Sequence, residues 1–126
     1  MSTILVVEDN DLNRRLFVDL LATKGYTIIE ALDGKEALRL VQEKQPDLVL
    51  MDIQLPTLSG LEVTKEIRRM QIRQPRIVAI SAFALKKDAD KALAAGCDDY
   101  ISKPIAILPF FETVAKNLSS NPNSTS

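Results

Sequence analysis

The chain has 126 residues, 46% of them hydrophobic, which suits one ordinary domain whose core needs no disulfide or metal staple. Lys and Arg total 16 against 17 Asp and Glu, a formal charge of -1, so no global field recruits nucleic acid or an anionic membrane. Histidine is absent, which excludes Ser/His/Asp and Cys/His nucleophile schemes and most zinc sites. The single cysteine, Cys97, has no intrachain partner and reads as a small buried hydrophobe in a reducing compartment. No signal segment and no run of eighteen or so apolar residues occurs, so a soluble, cytoplasmic location is expected, with no membrane partner.

Ile4-Leu5-Val6-Val7 is a short β-branched-rich run that ends in Glu8-Asp9-Asn10, acids at the carboxyl end of a strand. Asn10 or Asp11 can cap the helix that follows. Leu12, Leu16, Phe17, Leu20 and Leu21 recur there at helical spacing, and Gly25 closes it. Tyr26 to Glu30 carries strong β formers, and Asp33-Gly34 is a turn signal. A second helix has its apolar stripe at Ala37, Leu38 and Val41 and ends at Gln45-Pro46.

Leu48-Val49-Leu50-Met51 is an unbroken apolar run of the kind buried on both faces of a parallel sheet, and it ends in Asp52. A loop through Leu58-Ser59-Gly60 leads to a third helix marked by Leu61, Thr64, Ile67 and Met70. Ile77 to Ile80 forms a further strand, ending in Ser81-Ala82. Lys86 to Ala95 is a helix with a thin apolar face at Ala89, Ala92 and Leu93. Cys97 to Ile101 reads as a last strand, followed by Ser102-Lys103-Pro104. Ile107, Phe111, Val114 and Leu118 define the final helix, and the tail 121–126 is polar with nothing to bury.

Five βα units in succession predict an α/β fold, a doubly wound parallel sheet with helices on both faces. Ligands of such sheets bind beyond the carboxyl ends of the strands. Glu8, Asp9, Asp52, Ser81 and Lys103 all fall there, on four different strands. Turn chemistry explains one acid at one strand end, but not three carboxylates, a hydroxyl and a lysine on one edge. Close carboxylates repel unless a proton or a cation sits among them, and Mg²⁺ suits carboxylate, water and phosphate oxygens. Asp52 is then the candidate nucleophile towards phosphorus, with the metal, Lys103 and Ser81 neutralising the transferring phosphoryl oxygens.

These motifs, Val7-Glu8-Asp9-Asn10, Leu50-Met51-Asp52-Ile53-Gln54-Leu55-Pro56, Ser81-Ala82 and Lys103-Pro104, stand in the order and spacing of a known family. The chain resembles the CheY-like receiver domains of two-component response regulators, in particular those that stand alone without an output domain. The resemblance implies five parallel strands in the order 2-1-3-4-5 with five helices, and a receiver domain over residues 1–120. It implies a phosphoacceptor Asp52, a Mg²⁺ site (Mn²⁺ as alternative) held by Glu8, Asp9, Asp52 and the backbone carbonyl of Gln54, and phosphoryl contacts from Lys103 and Ser81. The Lys103–Pro104 bond would be cis. Tyr100 would turn inward as Ser81 moves. The implied partners are a histidine kinase or phosphotransfer protein upstream and downstream proteins on the face of helix 4, strand 5 and helix 5. Such a protein is a switch, catalysing only its own phosphorylation and dephosphorylation. Gln54 and Phe83 resemble positions flanking the path of the hydrolytic water. Phe83 either shields the aspartyl phosphate or packs as an ordinary aromatic.

Other readings fit less well. Arg68, Arg69, Arg73 and Arg76 are interleaved with Glu62 and Glu66 and read as a solvated helix face, not a nucleic-acid site. Asp88, Asp90, Asp98 and Asp99 read as exposed charge. A phosphatase of the haloacid dehalogenase type needs a second acid two residues after its nucleophile, where this chain has Gln54. A flavodoxin-like cofactor binder needs a phosphate loop after the first strand, where this chain places acids.

Overall fold

The structure is a computed structural model that describes residues 2–82 and 86–120. Strands β1 (Thr3–Val7), β2 (Thr27–Ala31), β3 (Leu48–Asp52), β4 (Arg76–Ser81) and β5 (Asp99–Ser102) alternate with helices α1 (Asp11–Ala22), α2 (Gly34–Lys44), α3 (Gly60–Arg69), α4 (Lys86–Ala95) and α5 (Ile107–Ser120). All four strand pairings are parallel, and the sheet order is β2-β1-β3-β4-β5. The α/β architecture and strand order expected from the sequence are therefore the observed ones. The polar tail 121–126 lies outside the described residues.

Alternate residues along each strand point to opposite faces, and two cores result. Leu5, Val7, Val49, Met51, Ile77 and Ala79 pack against α2, α3 and α4. Ile4, Val6, Leu48, Leu50, Val78 and Ile80 pack against Phe17 and Leu21 of α1 and Phe110, Val114 and Leu118 of α5. β3 is central and buried at all five positions, as its unbroken apolar run requires. Asn10 is the N-cap of α1, its side chain accepting from Asn13 N, and Asp33 caps α2 through Glu36 N. Asp33-Gly34 thus starts a helix directly instead of making a separate turn.

Several expectations fail in register. Leu12 is 83% exposed and Leu16 44%, because α1 turns only Phe17 and Leu21 fully onto the sheet. Leu93 is 50% exposed, while Ala92 and Ala95 make the buried contact of α4. In α5 the anchor is Phe110 and not the expected Ile107 or Phe111: Phe110 stacks on Phe17 with ring centroids 5.8 Å apart, whereas Ile107 is 53% exposed. One residue of helical phase separates the two assignments, and consecutive apolar residues at 107–108 and 110–111 left that phase open. β5 starts at Asp99, because Asp98 turns its carboxylate back onto Ile77 N.

Of the arginine cluster, Arg69 lies on a solvated face as expected, 71% exposed, but Arg68 and Arg76 do not. Arg68 donates to the carbonyl oxygens of Gly96 and Pro75, to Gln74 Oε1 and to Asp98 Oδ2, all within 2.7–2.9 Å. Arg76 pairs with Asp98 and donates to the buried Asn117, whose amide donates to Asp99. Arg73 pairs with Asp47. Asp98 and Asp99 are consequently partners in this lattice, not exposed charge. Asp99 is held below the ordinary carboxylate range, since hydrogen bonds from Asn117 and Tyr100 N and the Lys116 ammonium outweigh burial, the largest single influence, which acts the other way.

Candidate functional site

The site is built where β1, β3 and β4 leave the sheet, together with the loop after β5. Pairing of Val7 with Met51 and of Asp52 with Ile80 puts Glu8, Asp52 and Ser81 on adjacent strand ends. Glu8 is 1% exposed and Asp52 3%, while Asp9 faces solvent. Ligand oxygens from Glu8, Asp9 and Asp52 lie within 4.8 Å of one another. Lys103 reaches in from the far edge, its Nζ 3.0 Å from Glu8 Oε1 and 3.3 Å from Asp52 Oδ2. Its backbone N–H donates to Ser81 O at 2.8 Å, and the Lys103–Pro104 peptide is cis.

Two carboxylates this close and this buried cannot both be charged against one ammonium without strain on the protonation equilibrium. Burial is the largest influence on Glu8, followed by the hydrogen bond to Asp52, and together they push its pKa to about 7 against the pull of Lys103. Lys103 is lowered by burial but raised more by its bond to Glu8 and the charges of Asp52 and Glu8, so its net shift is upward. Glu8 Oε2 is buried without a hydrogen-bond partner among the described residues. An orphaned buried carboxylate oxygen beside two further carboxylates fits a hard divalent cation.

Local geometry holds the acids in place. Gln54 N donates to Asp52 Oδ1 at 2.9 Å, so the turn after β3 fixes one carboxylate oxygen. Gly60 N donates to Ile53 O at 3.0 Å, and Thr64 Oγ1 donates to Gly60 O, which draws the start of α3 against the backbone of Asp52. A side chain at Gly60 has no room: its Cβ would overlap Asp52 O and sit 2.9 Å from Asp52 C and Ile53 Cα. Arg14 Nη1 donates to Glu8 O at 2.9 Å, and the same guanidinium pairs with Asp11 and Glu30. Neither Gly60 nor Arg14 was marked by the motifs. Ser59-Gly60 before an apolar run was a helix-start signal, but its closeness to Asp52 is a tertiary fact.

The other expected residues distribute as follows. Ser81 is 1% exposed at the end of β4. Gln54 is exposed, and its Oε1 accepts from Ala82 N at 3.3 Å. Tyr100 is half-buried against the α2–α3–α4 core, with its hydroxyl oxygen buried and unpartnered among the described residues. Phe83 lies outside the described residues.

Residues 4–115 match the response regulator receiver domain family. The chain is 47% identical over 117 residues to the polar-differentiation response regulator DivK of Brucella anthropi, covering 92% of this chain and 95% of that protein. Its fold is similar to the receiver domain of the sensor histidine kinase PA1611 of Pseudomonas aeruginosa, which holds a magnesium ion in its active-site cleft: TM-score 0.87 and 34% identity over 94% of this chain and 98% of that one. The receiver domain of Ssk1 of Saccharomyces cerevisiae, solved with the histidine phosphotransfer protein Ypd1, superposes with TM-score 0.84 at 32% identity, over 91% and 87% of the two chains. No described helix is long and apolar enough to cross a membrane. Matched over most of its length to relatives of this kind, the chain belongs to the response regulator receiver domains, the signalling switches of two-component systems.

Proposed function

We propose that Asp52 accepts a phosphoryl group and that its phosphorylation switches binding to downstream proteins. The observation that carries this is the single ammonium of Lys103 shared between the buried carboxylates of Glu8 and Asp52, with Asp9 within ligand reach. A carboxylate oxygen of Asp52 forms the new P–O bond as the bond from phosphorus to the donor atom breaks, and negative charge develops on the phosphoryl oxygens. Lys103 Nζ is in reach of those oxygens, and the Ser81 hydroxyl and adjacent backbone N–H groups are candidate further donors. Glu8, Asp9, Asp52 and the Gln54 carbonyl would hold Mg²⁺, or Mn²⁺ in its place, which when bound supplies charge neutralisation on the opposite side. Tyr100 is the proposed switch aromatic, its hydroxyl being buried without a partner among the described residues.

The donor would be a histidine kinase or phosphotransfer protein. This chain has no histidine of its own, and the complex of Ypd1 with Ssk1 pairs a phosphotransfer protein with a receiver. Exposed Leu16 lines a groove together with Ala82, Lys103, Pro104 and Ile105, an apolar surface at the mouth of the site that suits a protein donor. Downstream targets would use the face of α4, β5 and α5, where Leu93, Ile107 and Leu108 are exposed. The protein would act in the cytoplasm, as a receiver over residues 1–120, with no activity beyond its own phosphorylation and dephosphorylation.

The test is intact mass after incubation with acetyl phosphate and Mg²⁺. One added phosphoryl group is expected on the wild type and none on Asp52→Asn. Uptake by Asp52→Asn would remove the assignment.

A further inference from the structure

We propose that Arg14 is a positioning residue for the divalent-cation site: its guanidinium holds the backbone carbonyl of Glu8 and so fixes the turn that presents the Glu8 and Asp9 carboxylates to the ion. This rests on the reading of Glu8, Asp9 and Asp52 as a site for such an ion. β1 leaves its ladders at Val7, which pairs with Ala31 on one side and Met51 on the other. One residue further on, the Glu8 N–H donates to Ala31 O at 3.1 Å, while the Glu8 carbonyl is taken by Arg14 Nη1 at 2.9 Å, a side chain from α1. The backbone N–H of the same arginine donates to Asn10 O, also at 2.9 Å. Arg14 therefore grips the chain on both sides of Asp9, a residue that is itself exposed.

A bare guanidinium beside a cation site repels the ion. Here Nε donates to Glu30 at 3.1 Å and Nη2 pairs with Asp11, so two carboxylates offset the charge while the third nitrogen holds Glu8. The arginine side chain is 14% exposed against 88% for Asp11 and 52% for Glu30, so the fork is the sheltered member and its partners are the solvated ones. Each nitrogen meets a different element, namely the end of β1, α1 and β2, and a planar fork has few orientations that satisfy all three. The turn is thereby set before an ion arrives, which is what contacts to ligand residues from outside the coordination sphere supply.

Arg14→Met keeps the apolar stem and the helix propensity and removes the fork. Binding of Mn²⁺ alone, without phosphodonor, is followed by loss of the free-ion electron paramagnetic resonance signal. The dissociation constant is expected to rise about tenfold in Arg14→Met, the low end of what losing a partner of a ligand residue does. The sign discriminates, because deleting a positive charge near the site would by charge alone tighten binding. Glu30→Ala unties the fork from β2 but leaves Arg14 on Glu8 O, and is expected to stay within about twofold of wild type. The bond itself is read at the Glu8 carbonyl carbon, correlated through the Asp9 amide in metal-free protein, which is expected to move upfield in Arg14→Met. Where Arg14→Met loses the native circular dichroism, Arg14→Lys replaces it: the charge is kept, the fork is lost, and binding about threefold or more weaker is again expected. Unchanged or tighter Mn²⁺ binding, or equal weakening in Glu30→Ala, overturns the positioning role and leaves the cation site standing. No Mn²⁺ binding by wild type overturns the cation site and this role with it.

Discussion

Replacing Gly60 by alanine separates a loop that tolerates change from one that shapes the site. The added Cβ would overlap the carbonyl oxygen of Asp52 and lie 2.9 Å from Asp52 C and Ile53 Cα, where ordinary contacts begin at 3.4 Å. These are backbone atoms, so no rotamer relieves the clash, and β3 or α3 must shift by roughly an ångström to clear Asp52 O. Overpacking of this kind costs about 1–3 kcal/mol, and a rigid backbone partner places Gly60→Ala near the upper end, about 3 kcal/mol. Gly25→Ala is the internal reference. Nothing lies within 4 Å of its Cβ, but φ is +82°, so only the left-handed conformation is penalised, by about 1 kcal/mol. In urea denaturation, a slope of about 1–3 kcal/mol per molar translates a loss of about 3 kcal/mol into a midpoint roughly 1–3 M lower for Gly60→Ala, and about a third of that for Gly25→Ala. The same displacement moves the Asp52 carboxylate, so phosphorylation by acetyl phosphate should slow by roughly tenfold or more in Gly60→Ala and stay unchanged in Gly25→Ala. A Gly60→Ala midpoint no lower than that of Gly25→Ala would refute the reasoning from close approach.

Three further outcomes follow from the packing and the charges. Because the folded pKa of Glu8 rises from 4.5 to about 7, its neutral form is the one the fold prefers: the stabilisation is fully present below pH 4.5 and is lost as pH climbs through 7. At about 1.4 kcal/mol per pH unit the whole span is about 3 kcal/mol, so in EDTA the stability of Glu8→Gln relative to wild type should rise by up to that amount between pH 5 and 8, and Mg²⁺ should shrink the gain. A difference that stays flat with pH would contradict it. Phe110→Ala should lose about 3–5 kcal/mol by chemical denaturation, against about 1 kcal/mol or less for Ile107→Ala, which is half exposed; the reverse ranking would restore the other helical phase. Arg68→Ala should lose about 3 kcal/mol because two loop carbonyls lose their donor and Asp98 loses one of its two arginine partners, while Arg69→Ala, 71% exposed, should change stability by less than about 0.5 kcal/mol.

The sheet was legible because β3 and β4 carry apolar runs that only a doubly covered parallel strand accommodates, and because each ends in a polar residue at the same edge. Glu8, Asp9, Asp52 and Lys103 follow from that edge alone. What stayed hidden was tertiary. Leu12 and Leu16 satisfy helical spacing without reaching the sheet, since an amphipathic stripe does not say how much of it is covered. Arg68 reads as surface charge until α3 is placed beside Gly96 and Asp98, 28 and 30 residues further along the chain. Gln54 gave no sign that its side chain would meet Ala82, a contact made only once β3 and β4 are paired.

The grip of Arg68 on Gly96 also sets how α4 can travel. Its carboxyl end is tied through Gly96 O to Arg68 and through Cys97 N to Ala92 O, while along its length only Ala92 and Ala95 are buried. A helix fastened at one end and lightly packed behaves as a lever with its fulcrum at the far side of the sheet from Asp52. Ten residues make an arm of about 15 Å, so a tilt of about 10° swings the amino end of α4 by about 2.6 Å while the fulcrum stays still. On the proposed reading, a small rearrangement beside Asp52 would thereby become a displacement of a few ångströms at the surface of α4.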